Sequence, residues 1–434
     1  MQQSYNNYLF FITILSLSIK WILAVIEFGF NLDTFLLFNL EDTQYFPIVY
    51  SLSDFNISPS FLEDVNPDKV IGFPILGIII HALFFKFIGI YSFIILEYIF
   101  QIIFLIFTFN FFVKIFDDYD KAFFLLICLL LIYSLTGILH QFQPNIFINN
   151  IFYLFENNLG TRFPRPLVTG ILVFGMIYYL LDFKDQLIKN FETNYVIKIS
   201  IILSLILNTF FYYFIIFSLL IIGITIKNLS KNLSFNLIFK RLAIFLLLFT
   251  IFSLPFILQQ IYLEPDYANR IGLINLDNSQ KYFLITYLLK KFISIKFLSI
   301  IFVSLVIFYF LKEEKKIEKI NFFFFLMFSS IFSPIIFIFL SKSIISIYHS
   351  IDIIIFILMF YLIIGFFSII YELIKKKKFS KFILSKKIIY ILILFFIFFT
   401  GIYENNKFNQ NKNLINETIK IKNFLKKEKI NNTK

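Results

Sequence analysis

The chain has 434 residues, 59% of them hydrophobic and 67 of them Phe, with a formal net charge of +12 and a mean hydropathy of +0.84. These values exclude an ordinary soluble domain. The lysines that carry the charge sit in short loops between apolar runs, which membrane topology explains and nucleic-acid binding does not, and the lone Cys128 excludes an internal disulfide or a cysteine-based metal cluster.

Apolar runs near the ~20 residues that cross roughly 30 Å of hydrocarbon recur along the chain and predict an all-α polytopic membrane protein. The first, residues 8–30, lacks a basic leader and a small-residue cleavage site, as expected of a retained helix. A long loop, 31–91, follows and carries "NLEDTQYFPIVYSLSDF" directly after that span. Its segment 31–69 carries, Asp33 aside, Glu41, Asp42, Asp54, Glu63, Asp64 and Asp68 against the single Lys69, so the lysine bias of cytoplasmic loops places it outside. Asp42 and Tyr45 share a face if the segment is helical, and a carboxylate there suits a general base toward an acceptor hydroxyl or a ligand to a divalent cation. Residues 71–90 are expected to lie in the outer interface as an amphipathic helix, although their length also permits a span.

Further along, residues 92–112 are expected to run inward, "KIFDDYDK" (114–121) to turn in the cytoplasm, and 123–139 to run outward. An external loop, 140–166, then carries His140 and "ENNLGTRFPRPLVTG", and 167–181 returns. Lysine-rich loops at 182–198, 227–241, 312–319 and 372–387 are placed in the cytoplasm. Between them the spans are 199–207 with 211–226, a pair short enough to be re-entrant, then 243–261, 297–311, 322–340, 353–371 and 388–402. The count is about eleven transmembrane helices in a domain covering 1–403, with a cytoplasmic N-terminus and a short basic external tail, 404–434. Lysines in that tail sit poorly outside.

Of the 39 Lys+Arg only four are arginine, in a composition whose abundant Phe, Ile, Asn and Lys follow A/T-rich coding and carry little specific meaning. Arg162, Arg165 and Arg270 fall on the external side. A guanidinium offers a planar fork of donors that grips phosphate or carboxylate bidentately, which an ammonium does not. Pro164 and Pro166 are expected to hold the approach extended, and Pro166 suits the first turn of the next helix, whose N-terminal N–H groups attract anions. Arg162, Arg165, Arg270 and His140 are therefore the candidate phosphate-binding residues, with Glu156 as the structural carboxylate the arginines would otherwise contact. Three charges fall within spans: Lys20 and Glu27, seven residues apart and on one face, and Glu97, a set that reads as a structural pairing. The histidines have no metal spacing, and no phosphate-binding glycine loop or nucleophile elbow is present.

The arrangement resembles the GT-C superfamily of integral-membrane glycosyltransferases. The likeness rests on Glu41-Asp42 with Tyr45 after the first span, on "GFPILGIIIHALFFKFIG" from Gly72 to Gly89, on the short charged turn 114–121, and on the arginines of a later external loop. The family's Asp-Glu order is reversed here, only Phe73-Pro74 stands for its proline step, and no sizeable soluble domain follows the last span. The resemblance implies an inverting transfer from a polyprenyl-phosphate sugar to a lipid or glycan acceptor at the external face of a bacterial inner membrane. In that reaction Asp42, beside Glu41, takes the acceptor's proton while Arg162, Arg165 and Arg270 stabilise the departing phosphate. Rival readings are a transporter or flippase of a lipid-linked or anionic substrate, which would use Lys20, Glu27 and Glu97 to couple movement, and a lipid-linked glycan polymerase or ligase.

Overall fold

A computed structural model describes residues 2–29, 45–56, 74–182, 192–228, 235–263, 273–312, 317–340, 343–345, 347–376 and 386–432. Apart from one two-stranded ribbon, these residues are helical in all their longer elements. Six described stretches are long and apolar enough to cross a membrane: Gln3–Phe28, Ile75–Phe116, Tyr119–Phe142, Phe239–Ile261, His349–Leu373 and Tyr390–Leu425. Five more apolar stretches read as spans are helical as well, Leu167–Leu180, Thr193–Thr209, Phe211–Ile226, Phe297–Ile307 and Phe325–Ile335. The protein is a helical membrane protein. Its outer surface agrees: Phe239 and Leu247 are more than 60% exposed on a helix of almost uniformly apolar side chains, a face that water would not tolerate at this extent.

Four cross-chain contacts define one end of the bundle. Helix α1 (Gln2–Phe28) begins there, with Tyr5 donating to Asp120 and Tyr8 bonded to Tyr390 at 3.0 Å. Helices α4 (Ser92–Phe116) and α5 (Tyr119–Phe142) meet there in a turn in which Asp117 adopts a left-handed conformation, φ 52°, and the Asp118 side chain caps α5 by accepting from Lys121 N. Lys114 pairs with Asp182 at 2.5 Å, and Lys121, 1% exposed, pairs with Glu372 at 2.7 Å. The turn at 114–121, Asp182 and the Glu372 segment thus share one end, as the lysine-loop topology requires.

Two short helices cover the opposite end, α2 (Phe46–Ser53) and α3 (Ile75–Ile88). After α3, Gly89 at φ +61°, which favours glycine, leads through a single 3-10 turn into α4. The rings of His81 and Phe100 lie 6.0 Å apart, so α3 folds back along the first turns of α4 and the stretch Ile75–Phe116 is a hairpin of two helices. Residues 140–166, expected as a loop, contain a helix, α6 (Ile146–Leu159), whose N-cap Asn145 accepts from Ile148 N at 2.8 Å. Helix α7 (Leu167–Leu180) follows.

Helix α8 (Thr193–Thr209) and α9 (Phe211–Asn228) are separated by one extended residue, Phe210. Ser200 bonds to Phe245 O of α10 (Phe235–Ile261), while Asn208 bonds to Phe252 O and accepts from Phe256 N. α8 and α10 therefore run in the same direction, and α9 returns between them. The ribbon of β1 (Leu273–Asn275) and β2 (Ser343–Ile345) is antiparallel and brackets α11 (Asn278–Ile293), α12 (Ile295–Lys312) and α13 (Ile317–Leu340). Neither β-strand nor α11 was legible as apolar periodicity. Helix α14 (Ile347–Lys376) runs back to the lysine end. The last helix, α15, is one unbroken element of 47 residues from Lys386 to Asn432, so the expected short tail is the continuation of the final span.

Phenylalanine fills the main core: Phe109, Phe112, Phe123, Phe155, Phe174 and Phe217 are at most 1% exposed. A second cluster closes the other end, where Trp21, Tyr45, Ile48 and Ile78 pack with Phe163, Phe408 and Ile415. That cluster joins α1, α2, α3, the arginine turn and α15 around one region.

Candidate functional site

The four residues 163–166 form a turn with both X-Pro bonds cis, where an extended approach was expected. Leu167 N donates to Arg162 O and Val168 N to Pro164 O, both at 3.3 Å. The turn's own carbonyls thereby take the first amides of α7, so anion attraction here falls to the guanidinium groups, not to an open helix terminus. Gly77 of α3 lies against the turn: a Cβ there would stand 2.9 Å from Pro164 Cβ. Arg162 Nε donates to Arg165 O at 3.0 Å, which fixes the guanidinium of Arg162 relative to the turn. Arg165 stacks over Phe210 at 4.4 Å, and its N–H groups have no hydrogen-bond partner among the described residues.

Arg162 lines three adjoining recesses. One, of about 100 Å³, holds Arg162 and Arg165 with Thr169, Tyr213, His349 and Asp352. In it Tyr213 donates to Asn158 Oδ1 at 2.6 Å, and Thr169, 3% exposed, has a hydroxyl without a partner among the described residues. A narrow one, of about 50 Å³, is lined by Arg162 with His81, Glu97, Glu156, Tyr403 and Lys407. The largest of the three, about 470 Å³, is bounded by His140 of α5, by Phe152, Tyr153 and Asn157 of α6, and by the extended part of α15.

The charges inside the spans are now paired. Lys20 donates to Glu97, and both side chains are at most 10% exposed; Glu27 pairs with Lys412 of α15 at 2.7 Å. The sequence left open whether Lys20 would meet Glu27 or Glu97, because spacing along one helix does not show which neighbour packs on it. Glu156, 8% exposed, accepts from Tyr133. His81 is fully buried and held by Nδ1 to Gly77 O at 2.8 Å; its Nε2 has no partner among the described residues. A carbonyl can only accept, so Nδ1 carries a proton and the neutral ring presents a lone pair at Nε2.

Of the residues expected at the site, the structure brings Arg162, Arg165 and His140 together around these recesses. His140 bonds Asn149 Oδ1 at 2.7 Å and stacks on Phe152 at 4.5 Å, so its ring is held by α6. Glu41, Asp42 and Arg270, and with them Glu63, Asp64 and Asp68, lie outside the described residues. Tyr45, which follows the acidic pair, is 4% exposed and packs edge-on to Phe163 at 6.4 Å, so α2 starts beside the arginine turn. Among the described residues no group of three His, Cys, Asp or Glu is placed to hold a metal ion.

Sequence reasoning missed Asp352 beside the arginines and the wall supplied by α15. The second was encoded: Tyr403, Lys407, Gln410 and Asn411 fall at i, i+4, i+7 and i+8, one stripe of a helix. No family model, curated protein or solved structure matches the chain.

Proposed function

We propose that the chain is a membrane glycosyltransferase, moving a sugar from a polyprenyl-phosphate donor to a lipid or glycan acceptor at the end of the bundle opposite the lysine turns. The observation that carries this reading is Arg162, shared by three recesses and paired along one turn with Arg165. As the sugar–oxygen bond breaks, charge gathers on the leaving phosphate; guanidinium groups fixed before reaction stabilise that state more than the bound donor. The recess of about 100 Å³, with both arginines, Thr169 and His349 beside Asp352, is the better match for a phosphate, and the recess of about 470 Å³ beside it leaves room for sugar and acceptor. In this reading Asp42, with Glu41 next to it, receives the acceptor's proton, and the external face is that of a bacterial plasma membrane. The partners are the polyprenyl-linked sugar, its acceptor and the surrounding lipid.

The experiment supplies membranes containing the protein with a polyprenyl-phosphate sugar and measures released polyprenyl phosphate. Arg162→Lys keeps the charge and loses the fork, so release should drop by about a hundredfold or more while the protein stays folded in the membrane. Undiminished release by both Arg162→Lys and Arg165→Lys would end the reading. Net movement of intact substrate without bond cleavage would transfer the same arginines to a carrier.

A further inference from the structure

We infer that the recess of about 470 Å³ beneath the extended part of α15 is a saccharide-binding site. The inference deepens the glycosyl-transfer reading and rests on it for the sugar's fate, but not for the sugar's binding. Volume comes first: the space lies within the roughly 300–1,000 Å³ of small-molecule sites. The lining chemistry then selects the ligand class. Phe152, Tyr153 and Tyr403 give aromatic faces, while Gln141, Gln410 and Asn411 give amides that both donate and accept. A sugar presents the complement of this set, apolar C–H faces edged with hydroxyl groups that donate and accept. A bare anion fits worse, because Glu156 lies in the same wall as Arg162 and Lys407, whereas the neighbouring recess sets two arginines against the single Asp352. A lipid chain fits worse still, since the polar groups would be stripped of water with no partner.

The walls are held in place before any ligand arrives. Gln141 Nε2 donates to Tyr403 O at 3.1 Å, and Ser134 and Thr400 bond at 3.1 Å, fastening α15 to α5. Lys412 and Glu27 fasten the next turn to α1. Tyr403 and Lys407 also border the narrow recess, which contains Trp21, the single tryptophan of the chain. Occupancy of the larger recess is expected to reach Trp21 through these two shared residues and to change its native fluorescence.

Purified full-length protein in detergent would be titrated with inorganic phosphate and with a panel of free saccharides: maltose, lactose, mannobiose, chitobiose and xylobiose. A saturable fluorescence change with at least one sugar is expected, weakened about tenfold or more in the Gln410→Ala/Asn411→Ala double variant, with the phosphate response unchanged. Tyr153→Ala, a substitution at a half-exposed wall position, gives the same expectation should the double variant fail to fold. Absence of a saturable response to every sugar, or a sugar response that both variants leave intact, overturns the assignment. A phosphate response that survives such a failure leaves the arginine reading standing. Sugar binding without release of polyprenyl phosphate from the donor keeps the saccharide site and removes the transferase.

Discussion

A guanidinium and an ammonium carry the same charge, and the distinction that located the site is only their shape. In a lysine-dominated chain the paired arginines were legible as a departure from composition, and the structure places both around connected recesses. What one dimension could not supply was partnership. Lys20 meets Glu97 across two helices, and no spacing rule selects that pair over Glu27. Lys20→Met should leave Glu97 buried without its countercharge and cost about 3–5 kcal/mol, measured by thermal unfolding in detergent, with most of the loss recovered in Lys20→Met/Glu97→Leu. A single variant as stable as the parent would remove the pair's structural role. His81 was equally unreadable, because its isolation is produced by α3, α4 and the arginine turn together, with the Phe163 ring tilted against it at 4.2 Å. His81→Gln can present an oxygen near the position of Nε2 and should retain most polyprenyl phosphate release; His81→Phe should lose about tenfold, the worth of one hydrogen bond of roughly 1.4 kcal/mol. Equal rates in the two would show that Nε2 contacts nothing that matters.

Helices were largely legible where apolar periodicity is strong, and their ends where capping chemistry is local. α11 is an instructive omission. Its start carries a reciprocal cap, Asp277 accepting from Gln280 N at 2.7 Å while Gln280 Oε1 accepts from Asp277 N at 3.1 Å, a pattern visible in "DNSQ". The Gln280 amide, with help from the Ser279 hydroxyl, holds the Asp277 carboxyl below its ordinary value. A depressed value stabilises the folded helix start fully above the unfolded carboxyl's titration, near pH 4, and that contribution disappears as pH falls through the folded value. Amide exchange at Gln280 should accordingly accelerate under acid and stay independent of pH, after correction for intrinsic exchange, above about pH 5; an Asp277→Ala variant should lack the acid-dependent step. α15 was missed for the opposite reason, since a polar stripe on a charged helix looks the same whether it faces solvent or a recess. Gly137 tests its docking: a Cβ there would stand 2.8 Å from Tyr403 Cδ2, so Gly137→Val should displace α15 and destabilise by about 1–3 kcal/mol. Unchanged stability together with unchanged sugar response would mean that α15 sits elsewhere.

At the scale of the molecule, Lys114, Lys121 and Lys375 all find carboxylates at one end, so the turn at 114–121, Asp182 and the Glu372 segment lie together, an arrangement that positive-inside bookkeeping of lysine also asks for. The same reasoning could not say how segments such as Thr193–Thr209, shorter than a full span, sit among longer neighbours; that depends on packing between α8 and α10, which hydropathy does not encode. Single cysteines on a Cys128→Ser background read the two ends directly. Asn157→Cys and Asn411→Cys, both at the large recess, should be labelled by an impermeant thiol reagent from the outside, and Lys375→Cys only after the membrane is opened. Labels on Asn157→Cys and Lys375→Cys from the same side would reject this topology.

The order of synthesis follows from the length of α15. Residues that floor the large recess, from His140 to Arg162, leave the ribosome long before Tyr403 to Asn411, which roof it. Between the synthesis of Arg162 and that of Tyr403 the nascent chain therefore holds an uncovered polar cleft, and the arrival of α15 gives it its remaining wall. A ribosome stalled before Tyr403 would therefore carry a bundle whose large recess lacks that wall.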